Sequence, residues 1–514
     1  MKKKVSARRQ QVRNTIAAER LGRFSLFING PNPSAIGVLL LFMAGVIYLL
    51  GLDTQDKTVT VLFSRFKPPV ELAALAVIVV LTCLGAAVYI KHYQPRIIGR
   101  KSRCLNLAIL LWLLLALTRV GSMYPGWEYL ATGTVIAAAM IMTIVYNQRF
   151  ALGISLFYSI LVCFAVDRIE TVELFLTMMS GAAVCCFSLR EIRTRMKLVQ
   201  VSAAAALLVF IIAAAMQTIQ SVPPEGFLKP ALSASVITIA VGIIIQAFLP
   251  IIERVFKIAT SMTLMEYSDA NQPLLKKLAM EAPGTFSHCL LIGSMAENAA
   301  EAIGANGLLC RVGSYYHDIG KINKPGYFVE NQMGSVSRHD QLSPAMSQLV
   351  IVGHVKDGIE IAREYGLPSV LRQFIESHHG TTLMEFFYNE AKKRQDEKMS
   401  PVSEAEFRYP GPKPRTKESA IVMLADAAES AGRSMTEATP NKIETLVHSI
   451  AMKRLQDGQF DECDLTLKEL SRIEAALAKS LAAHHHGRIA YPKLNSSEDS
   501  QTRSAAVASV QQAQ

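Results

Sequence analysis

Long apolar runs fill the first half of this chain, and they restrict its fold more than any other feature. A helix that crosses a lipid bilayer needs roughly 20 mostly apolar residues. Eight segments before residue 255 approach that length and composition, and they predict a polytopic helical membrane bundle. The segments are 35–51, 70–90, 104–122, 127–146, 150–166, 171–189, 199–219 and 232–252. The composition agrees, because 51% of the 514 residues are hydrophobic and only 18% are charged, which is too apolar for a soluble enzyme of this size.

Basic residues predict how the bundle is oriented. Eight Lys and Arg residues precede the first apolar run, and no small-residue cleavage site follows it, so we expect a retained anchor and not a signal peptide. Segments rich in Lys and Arg stay on the cytoplasmic side. Such segments alternate along the chain with outer loops that carry mostly single charges, among them Arg119, Arg168 and Lys229. We therefore expect a plasma-membrane protein whose N-terminus and whose residues after Glu253 are cytoplasmic.

The charge and the cysteines exclude several classes of function. A net charge of +11 ordinarily suggests nucleic acid or an anionic surface. Most of the basic excess lies in the N-terminal tail and the short loops, so we expect membrane orientation to explain it and no nucleic acid polymer as a partner. The eight cysteines include no CxxC pair, so neither a disulfide framework nor a thiolate zinc site is predicted. The centres of the apolar runs hold almost no ionisable residues, which favours an anchor or signal-receiving bundle over a transporter.

The chain divides into four predicted regions. They are a basic cytoplasmic tail at 1–34, a membrane domain at 35–252, a cytoplasmic domain at 253–490 and a small, polar, disordered tail at 491–514. The third region has helical patterning throughout, with almost no strand-type alternation, so the predicted fold class is all-α. Its predicted helices are 280–305, 308–321, 343–364, 368–379, 418–434, 440–456 and 465–483. We also expect the linker from Glu253 to Asn271 to continue the last membrane helix.

The histidines of the third region carry its chemistry. Five histidines and two aspartates lie on successive predicted helices: His288, His317, Asp318, His354, His378, His379 and Asp426. Imidazole and carboxylate groups are the ligands of divalent transition metals, and seven of them exceed what one tetrahedral ion uses. A two-metal site that supports in-line attack on phosphorus explains the set economically. An adjacent His-Asp pair alone would be weak evidence, so the prediction depends on the whole set.

A family resemblance enters with these residues. The run from His317 to Lys321, His-Asp-Ile-Gly-Lys, resembles the signature of HD-domain phosphohydrolases. More restrictive blocks surround it at Ala282 to Thr285, Phe328 to Gln332, His354 to Gly358 and Phe407 to Pro414. Together with the membrane half, they make residues 70–490 resemble the bacterial seven-transmembrane HD phosphodiesterases of the PgpH type.

The resemblance implies a function in second-messenger signalling, the hydrolysis of cyclic di-AMP to the linear dinucleotide pApA. It implies two divalent metal ions, iron or manganese, held by the seven groups named above, with Asp318 as the bridging carboxylate. Lys321 is expected either to contact a phosphate or the leaving oxygen, or to be an ordinary surface lysine. The expected partners are a cyclic dinucleotide and the lipid bilayer, and a homodimer is left open.

Two departures and two alternatives accompany the resemblance. Ser287 stands where the family often has a further histidine, next to His288. Only a short loop, from Leu52 to Pro69, stands where typical members have a large extracytoplasmic domain. One alternative is an HD phosphohydrolase of another nucleotide. The other is a catalytically inactive membrane protein that uses the HD fold for signalling or dimerisation.

Overall fold

The computed structural model describes most of the chain as helices. The described residues are 33–53, 66–124, 126–166, 171–189, 192, 194–332, 337–394, 402–435 and 438–486. Among them, strand pairing is limited to two isolated bridges, Leu52 with Phe66 and Leu383 with Arg408, so the predicted all-α fold class is confirmed. The chain divides into two compact units, Met1–Thr263 and Leu264–Gln514. Residues 1–32 of the predicted basic tail and the whole predicted tail 491–514 lie outside the described residues.

The first unit is a bundle of apolar helices. In chain order they are α1 (Pro33–Gly51), α2 (Pro69–Tyr93), α3 (Pro95–Ile98), α4 (Lys101–Gly121), α5 (Leu130–Val145), α6 (Gln148–Ala165), α7 (Thr171–Ser188), α8 (Arg195–Ile219) and α9 (Pro224–Phe256). Within the described residues, seven of these helices are long and apolar enough to cross a membrane: α1, α2, α4, α6, α7, α8 and α9. The protein is therefore a multi-pass membrane protein.

The eighth predicted span, 127–146, is the short helix α5. Its 16 residues extend about 24 Å at 1.5 Å per residue, less than the roughly 30 Å of a hydrocarbon core. Thirteen of its 16 residues are buried, and it packs against α4, α6, α7 and α9, so it lies at the centre of the bundle. An eighth crossing, and the orientation that depends on it, stays a prediction.

Small residues allow these helices to approach closely. A Cβ atom added at Gly133 of α5 would meet Cγ2 of Ile237 at 2.6 Å. One added at Gly242 of α9 would meet Oγ of Ser202 at 1.8 Å. At both positions the neighbouring helix occupies the space that a larger side chain would need.

Arg119 lies inside the bundle, and its predicted place in an outer loop is wrong. It belongs to the last turn of α4 and is only 2% exposed. Its guanidinium donates hydrogen bonds to the carbonyl oxygens of Ala165, at 2.9 Å, and Leu52. These carbonyls stand where α6 and α1 end and have no partner within their own helices, so they can accept from a buried guanidinium.

The linker after the membrane helices does not continue α9. That helix ends at Phe256, and Lys257 follows in the left-handed conformation with φ 55°. The Glu253 carboxylate accepts hydrogen bonds from the Thr260 backbone N–H at 2.7 Å and the Thr263 hydroxyl at 2.7 Å. These contacts hold the turn between α9 and the next short helix, which begins at Ser261.

The remaining helices surround a second apolar core, and the second unit begins at Leu264, within the first of these helices. They are α10 (Ser261–Tyr267), α11 (Pro273–Glu281), α12 (Pro283–Ala302), α13 (Gly307–Tyr316), α14 (Pro344–Glu364), α15 (Ser369–Ser377), α16 (Glu385–Lys393), α17 (Lys417–Arg433), α18 (Pro440–Gln456) and α19 (Leu467–His486). The predicted helix 280–305 is interrupted at Ala282, because Pro283 begins α12. The predicted helix 308–321 ends at Tyr316 and gives way to a 3₁₀ turn, Ile319–Asn323.

Candidate metal centre

The second unit brings all seven predicted ligands into two adjoining groups. One group, here called the acidic cluster, contains His288, His317, Asp318 and Asp426. The other, called the histidine cluster, contains His354, His378 and His379. Within each group the ligand atoms lie within 4.8 Å of one another, and every member except the half-buried His379 is buried. Helix ends supply most of them, since His317 and His378 directly follow α13 and α15.

Asp318 stands between the two clusters. Its Oδ2 atom lies 3.5 Å from Nε2 of His288 and 3.2 Å from Nε2 of His317. Its Oδ1 atom lies 3.4 Å from Nε2 of His354 and 3.6 Å from Nε2 of His378. One carboxylate oxygen thus faces each cluster, which is the arrangement that a carboxylate bridging two ions requires.

Asp426 also reaches both clusters. Its Oδ1 atom lies 3.2 Å from Nε2 of His288, and its Oδ2 atom lies 3.7 Å from Nδ1 of His379. The sequence predicts Asp426 as a ligand but does not predict that it spans the two groups. Asp318 and Asp426 therefore connect the clusters at two places.

Backbone carbonyls orient three of the imidazoles. Nδ1 of His317 donates to the Ser314 carbonyl at 2.7 Å, and Nδ1 of His354 donates to the Ile351 carbonyl at 2.5 Å. Nδ1 of His378 lies 3.0 Å from the Phe374 carbonyl. A carbonyl only accepts, so the proton of each neutral ring is on Nδ1 and the lone pair is on Nε2, which faces the centre.

Several of the ligand atoms that face the centre have no hydrogen-bond donor among the described residues. Nε2 of His354 lies 3.2 Å from Nε2 of His378, although both atoms are acceptors once Nδ1 carries the proton. Nε2 of His317 and Oδ1 of Asp318 are buried without any hydrogen-bond partner. Unsatisfied buried acceptors are costly and rare in native proteins. Cations coordinated by these atoms would satisfy them, so the donor set fits divalent metal ions.

A carboxylate and a guanidinium support His288 from behind. Nδ1 of His288 lies 2.7 Å from Oε2 of Glu429, and Nη2 of Arg433 donates to Oε1 of Glu429 at 2.7 Å. A carboxylate behind a histidine fixes its ring orientation and increases the basicity of its other nitrogen. The sequence did not predict this pair. The available signal was spacing, because Glu429 follows Asp426 by three residues and therefore lies on the same face of α17.

Lys321 is buried against the centre and is not an ordinary surface lysine. Its side chain is 12% exposed, and Nζ donates to Oδ2 of Asp318 at 2.7 Å and to Oε1 of Glu330 at 2.8 Å. The Thr285 hydroxyl donates to the same Glu330 oxygen at 3.0 Å. An ammonium has three donors, so one remains for another acceptor. These contacts also explain why the blocks around Thr285 and Glu330 accompany the His-Asp pair.

Without metal, the two clusters differ in their electrostatics. Burial lowers the pKa of His288, but hydrogen bonds to Asp318, Asp426 and Glu429 outweigh it and raise that pKa well above its usual value. Burial raises the pKa of Asp318, yet His317 and Lys321 hold it well below its usual range. In the histidine cluster, burial lowers the pKa of His354 to about 3. The acidic cluster thus attracts positive charge, whereas His354 offers a neutral nitrogen.

The block from Phe407 to Pro414 covers the end of α15. The Tyr409 ring lies on His379, with ring centroids 4.2 Å apart and an angle of 30° between the planes. Arg408 donates to the Thr381 carbonyl at 2.8 Å and to Oδ1 of Asp457 at 2.9 Å. These contacts hold His379 at the rim, where it is the most exposed of the seven predicted ligands.

A bundle of apolar helices followed by a His-Asp centre of this kind is typical of membrane proteins with an HD hydrolase domain. A family model described as "7TM receptor with intracellular HD hydrolase" matches residues 69–260, and the HD domain model matches residues 285–431. Family models for both parts of this architecture thus match the chain, and the resemblance to the seven-transmembrane HD hydrolases is confirmed. Membership in the HD domain family implies divalent metal binding, in agreement with the donor set.

Relatives with curated names match large parts of the chain. The cyclic-di-AMP phosphodiesterase PgpH of Bacillus subtilis is 36% identical over 438 residues, which are 83% of this chain and 60% of that protein. PgpH of Listeria monocytogenes is 45% identical over 244 residues, which are 48% of this chain and 33% of that protein. This chain therefore spans less than two thirds of the length of these relatives.

Solved structures of an HD domain also match. The crystal structure of the Listeria monocytogenes PgpH HD domain is 46% identical, with a TM-score of 0.40, and the match covers 42% of this chain and 100% of that one. The structure of the same domain in complex with cyclic-di-AMP matches with the same identity and TM-score and covers 99% of that chain.

Proposed function

We propose that this protein is a membrane-anchored, metal-dependent phosphodiesterase that hydrolyses cyclic di-AMP to pApA. The observation that carries the proposal is the Asp318 carboxylate, with one oxygen facing each of two ligand clusters. Two ions at such spacing suit in-line displacement at phosphorus. The curated names of the relatives, both cyclic-di-AMP phosphodiesterases, support the choice of substrate.

Each residue has a role in this proposal. The seven residues of the two clusters hold two divalent ions, iron or manganese, and Asp318 is shared between them. When bound, the ions would supply Lewis-acid stabilisation of the phosphoryl oxygens and a hydroxide nucleophile at neutral pH. His317 is held in place by the Ser314 carbonyl. Lys321 keeps Asp318 ionised and has one donor left for a phosphate oxygen or the leaving 3′ oxygen.

The site is proposed to face the cytoplasm of a plasma membrane. This follows from the alternation of basic loops, under the rule that Lys and Arg stay inside. The domain limits at 35–252 and 253–490 belong to the same proposal. Dimerisation of the chain stays a prediction that neither the fold nor the site decides.

The proposal is tested on the full chain in detergent, loaded with iron or manganese. A panel of cyclic dinucleotides is supplied and the linear products are identified. We expect pApA from cyclic di-AMP, with loss of both the product and stoichiometric metal in His317→Ala and Asp318→Ala. His448→Ala is the matched control, because His448 is 64% exposed and pairs with Glu474 away from the centre.

Three results would contradict the proposal. Undiminished metal-dependent cleavage in His317→Ala or Asp318→Ala would show that these residues do not form the catalytic centre. Preferred cleavage of another nucleotide would retain the centre and change the substrate. A wild-type protein that holds no stoichiometric metal and cleaves nothing would instead be an inactive member of the family.

A further inference from the structure

Arg454 is a half-buried cation near the metal centre, and its guanidinium has no partner among the described residues. It lies in the last turn of α18, and its Nε atom is buried with no hydrogen-bond partner. Its guanidinium makes neither a hydrogen bond nor an ion pair with any residue that the structure describes. A buried donor without a partner is costly, so the buried Nε of this arginine calls for an explanation.

The surroundings of Arg454 place it beside the histidine cluster. Its backbone carbonyl accepts from the Gln459 N–H at 3.0 Å. The Gln459 side chain in turn accepts from the Thr381 N–H and donates to the Thr381 hydroxyl, each at 2.9 Å. Thr381 follows His379 by two residues, so the end of α18 adjoins the rim of the site.

Charges of the site act on this guanidinium. Burial lowers the pKa of Arg454, and the carboxylate of Asp426 is the strongest of the charges that oppose the change, ahead of Asp457. Asp457 is already bound by Arg408 at 2.9 Å. Asp426 is a predicted metal ligand, so bound metal ions would neutralise its charge. Neither carboxylate is therefore a dedicated partner of Arg454.

The other buried or half-buried cations around the centre are already paired within the described residues. Lys321 binds two carboxylates, Asp318 and Glu330. Arg433 binds Glu429, and Arg408 binds Asp457. Arg454 differs from all three because its donors are uncommitted.

We propose that Arg454 binds a phosphate oxygen of the nucleotide substrate. The inference rests on the proposed function, which it deepens by naming a substrate-binding residue beyond the metal ligands. A guanidinium presents its donors in a planar fork that matches phosphate geometry. An anionic ligand would also supply Arg454 with the negative charge that no described residue provides as a direct partner.

The test compares Arg454→Met and Arg454→Lys with wild type in the full chain. The matched control is Arg472→Met, which makes the same chemical change at an exposed position of α19. Binding of cyclic di-AMP is measured by calorimetry after metal removal, so that no hydrolysis occurs. Losing a charged hydrogen bond should weaken binding roughly 10- to 100-fold in Arg454→Met. Arg454→Lys should fall between, and Arg472→Met should match wild type.

Metal content and melting temperature separate substrate binding from a structural role. Both should remain at wild-type values in Arg454→Met, since no described residue loses a partner. If Arg454→Met does not fold, the result for Arg454→Lys tests the proposal instead, because lysine keeps the positive charge but lacks the planar guanidinium. Several-fold weaker binding at full metal content supports the proposal, and wild-type binding overturns it.

Inorganic phosphate is the second probe, because it contains no base or sugar. If wild type binds phosphate but not cyclic di-AMP, the proposed function fails while weaker phosphate binding in Arg454→Met still supports the role of Arg454. If wild type hydrolyses cyclic di-AMP and Arg454→Met binds both probes within twofold of wild type, only the role of Arg454 fails. A wild type that binds neither probe contradicts both.

Discussion

Replacing Lys321 by Met should strongly destabilise the second unit. The lysine is 12% exposed, and its Nζ lies 2.7 Å from Asp318 and 2.8 Å from Glu330. Met fills similar space but leaves two buried carboxylates without their cation. Deleting one partner of a buried ion pair costs about 3–5 kcal/mol. In a unit of this size each kcal/mol lowers the melting temperature by about 2–4 °C, so we expect a decrease of roughly 6–20 °C.

A second substitution tests the cause of this loss. Glu330→Gln alone keeps an oxygen that can accept from Lys321 but removes the negative charge of the pair, and should cost about 1.5–3 kcal/mol. In the Lys321→Met background, the same change removes a carboxylate that no longer has its cation. The double variant should therefore cost less than the sum of the two single variants, by about 1.5–3 kcal/mol.

The assay is scanning calorimetry of the metal-free full chain in detergent. Trp112 and Trp127 are the only tryptophans and both belong to the first unit, so tryptophan fluorescence provides an internal control that should not shift. If the double variant loses the sum of the two single-variant free energies, within about 0.5 kcal/mol, then Lys321 and Glu330 do not stabilise each other and the prediction is refuted. An unchanged melting temperature with weaker substrate binding would refute it too, and would assign Lys321 to the phosphate alone.

Three further predictions concern the centre and the bundle. Glu429→Gln should weaken metal binding roughly 10- to 100-fold, measured by manganese titration, because the negative charge behind His288 is lost; unchanged affinity would refute its supporting role. On acidification from neutral pH, the acidic cluster should release manganese before the histidine cluster, followed by electron paramagnetic resonance. The raised pKa of His288 makes protons compete with the metal there at higher pH than at His354, whose pKa is about 3; the reverse order would refute this assignment. Gly242→Ala should lower the melting temperature of the first unit, because its Cβ would meet Ser202 at 1.8 Å, whereas Gly37→Ala meets nothing within 4 Å and should be neutral.

Much of the fold was predictable because its signals are local. Apolar length predicts the membrane helices, and Pro and Gly mark most helix limits of the second unit, as at Pro344 of α14 and Pro440 of α18. The errors occurred where a distant contact decided the outcome. Arg119 is inside the bundle because carbonyls at the ends of two other helices accept from it. The linker turns after Phe256 because Glu253 binds Thr260 and Thr263.

The candidate centre divides in the same way. Residue type and spacing along the chain were enough to predict all seven groups that the fold assembles, because imidazole and carboxylate are distinctive and the His-Asp pair marks the family. Only the tertiary structure decided that Asp318 faces both clusters, that Glu429 stands behind His288, 141 residues earlier, and that Arg454 is left without a partner. Each of these contacts joins helices that are far apart in the chain. Many polar side chains could meet in this way, and a local sequence pattern does not indicate which of them the packing brings together.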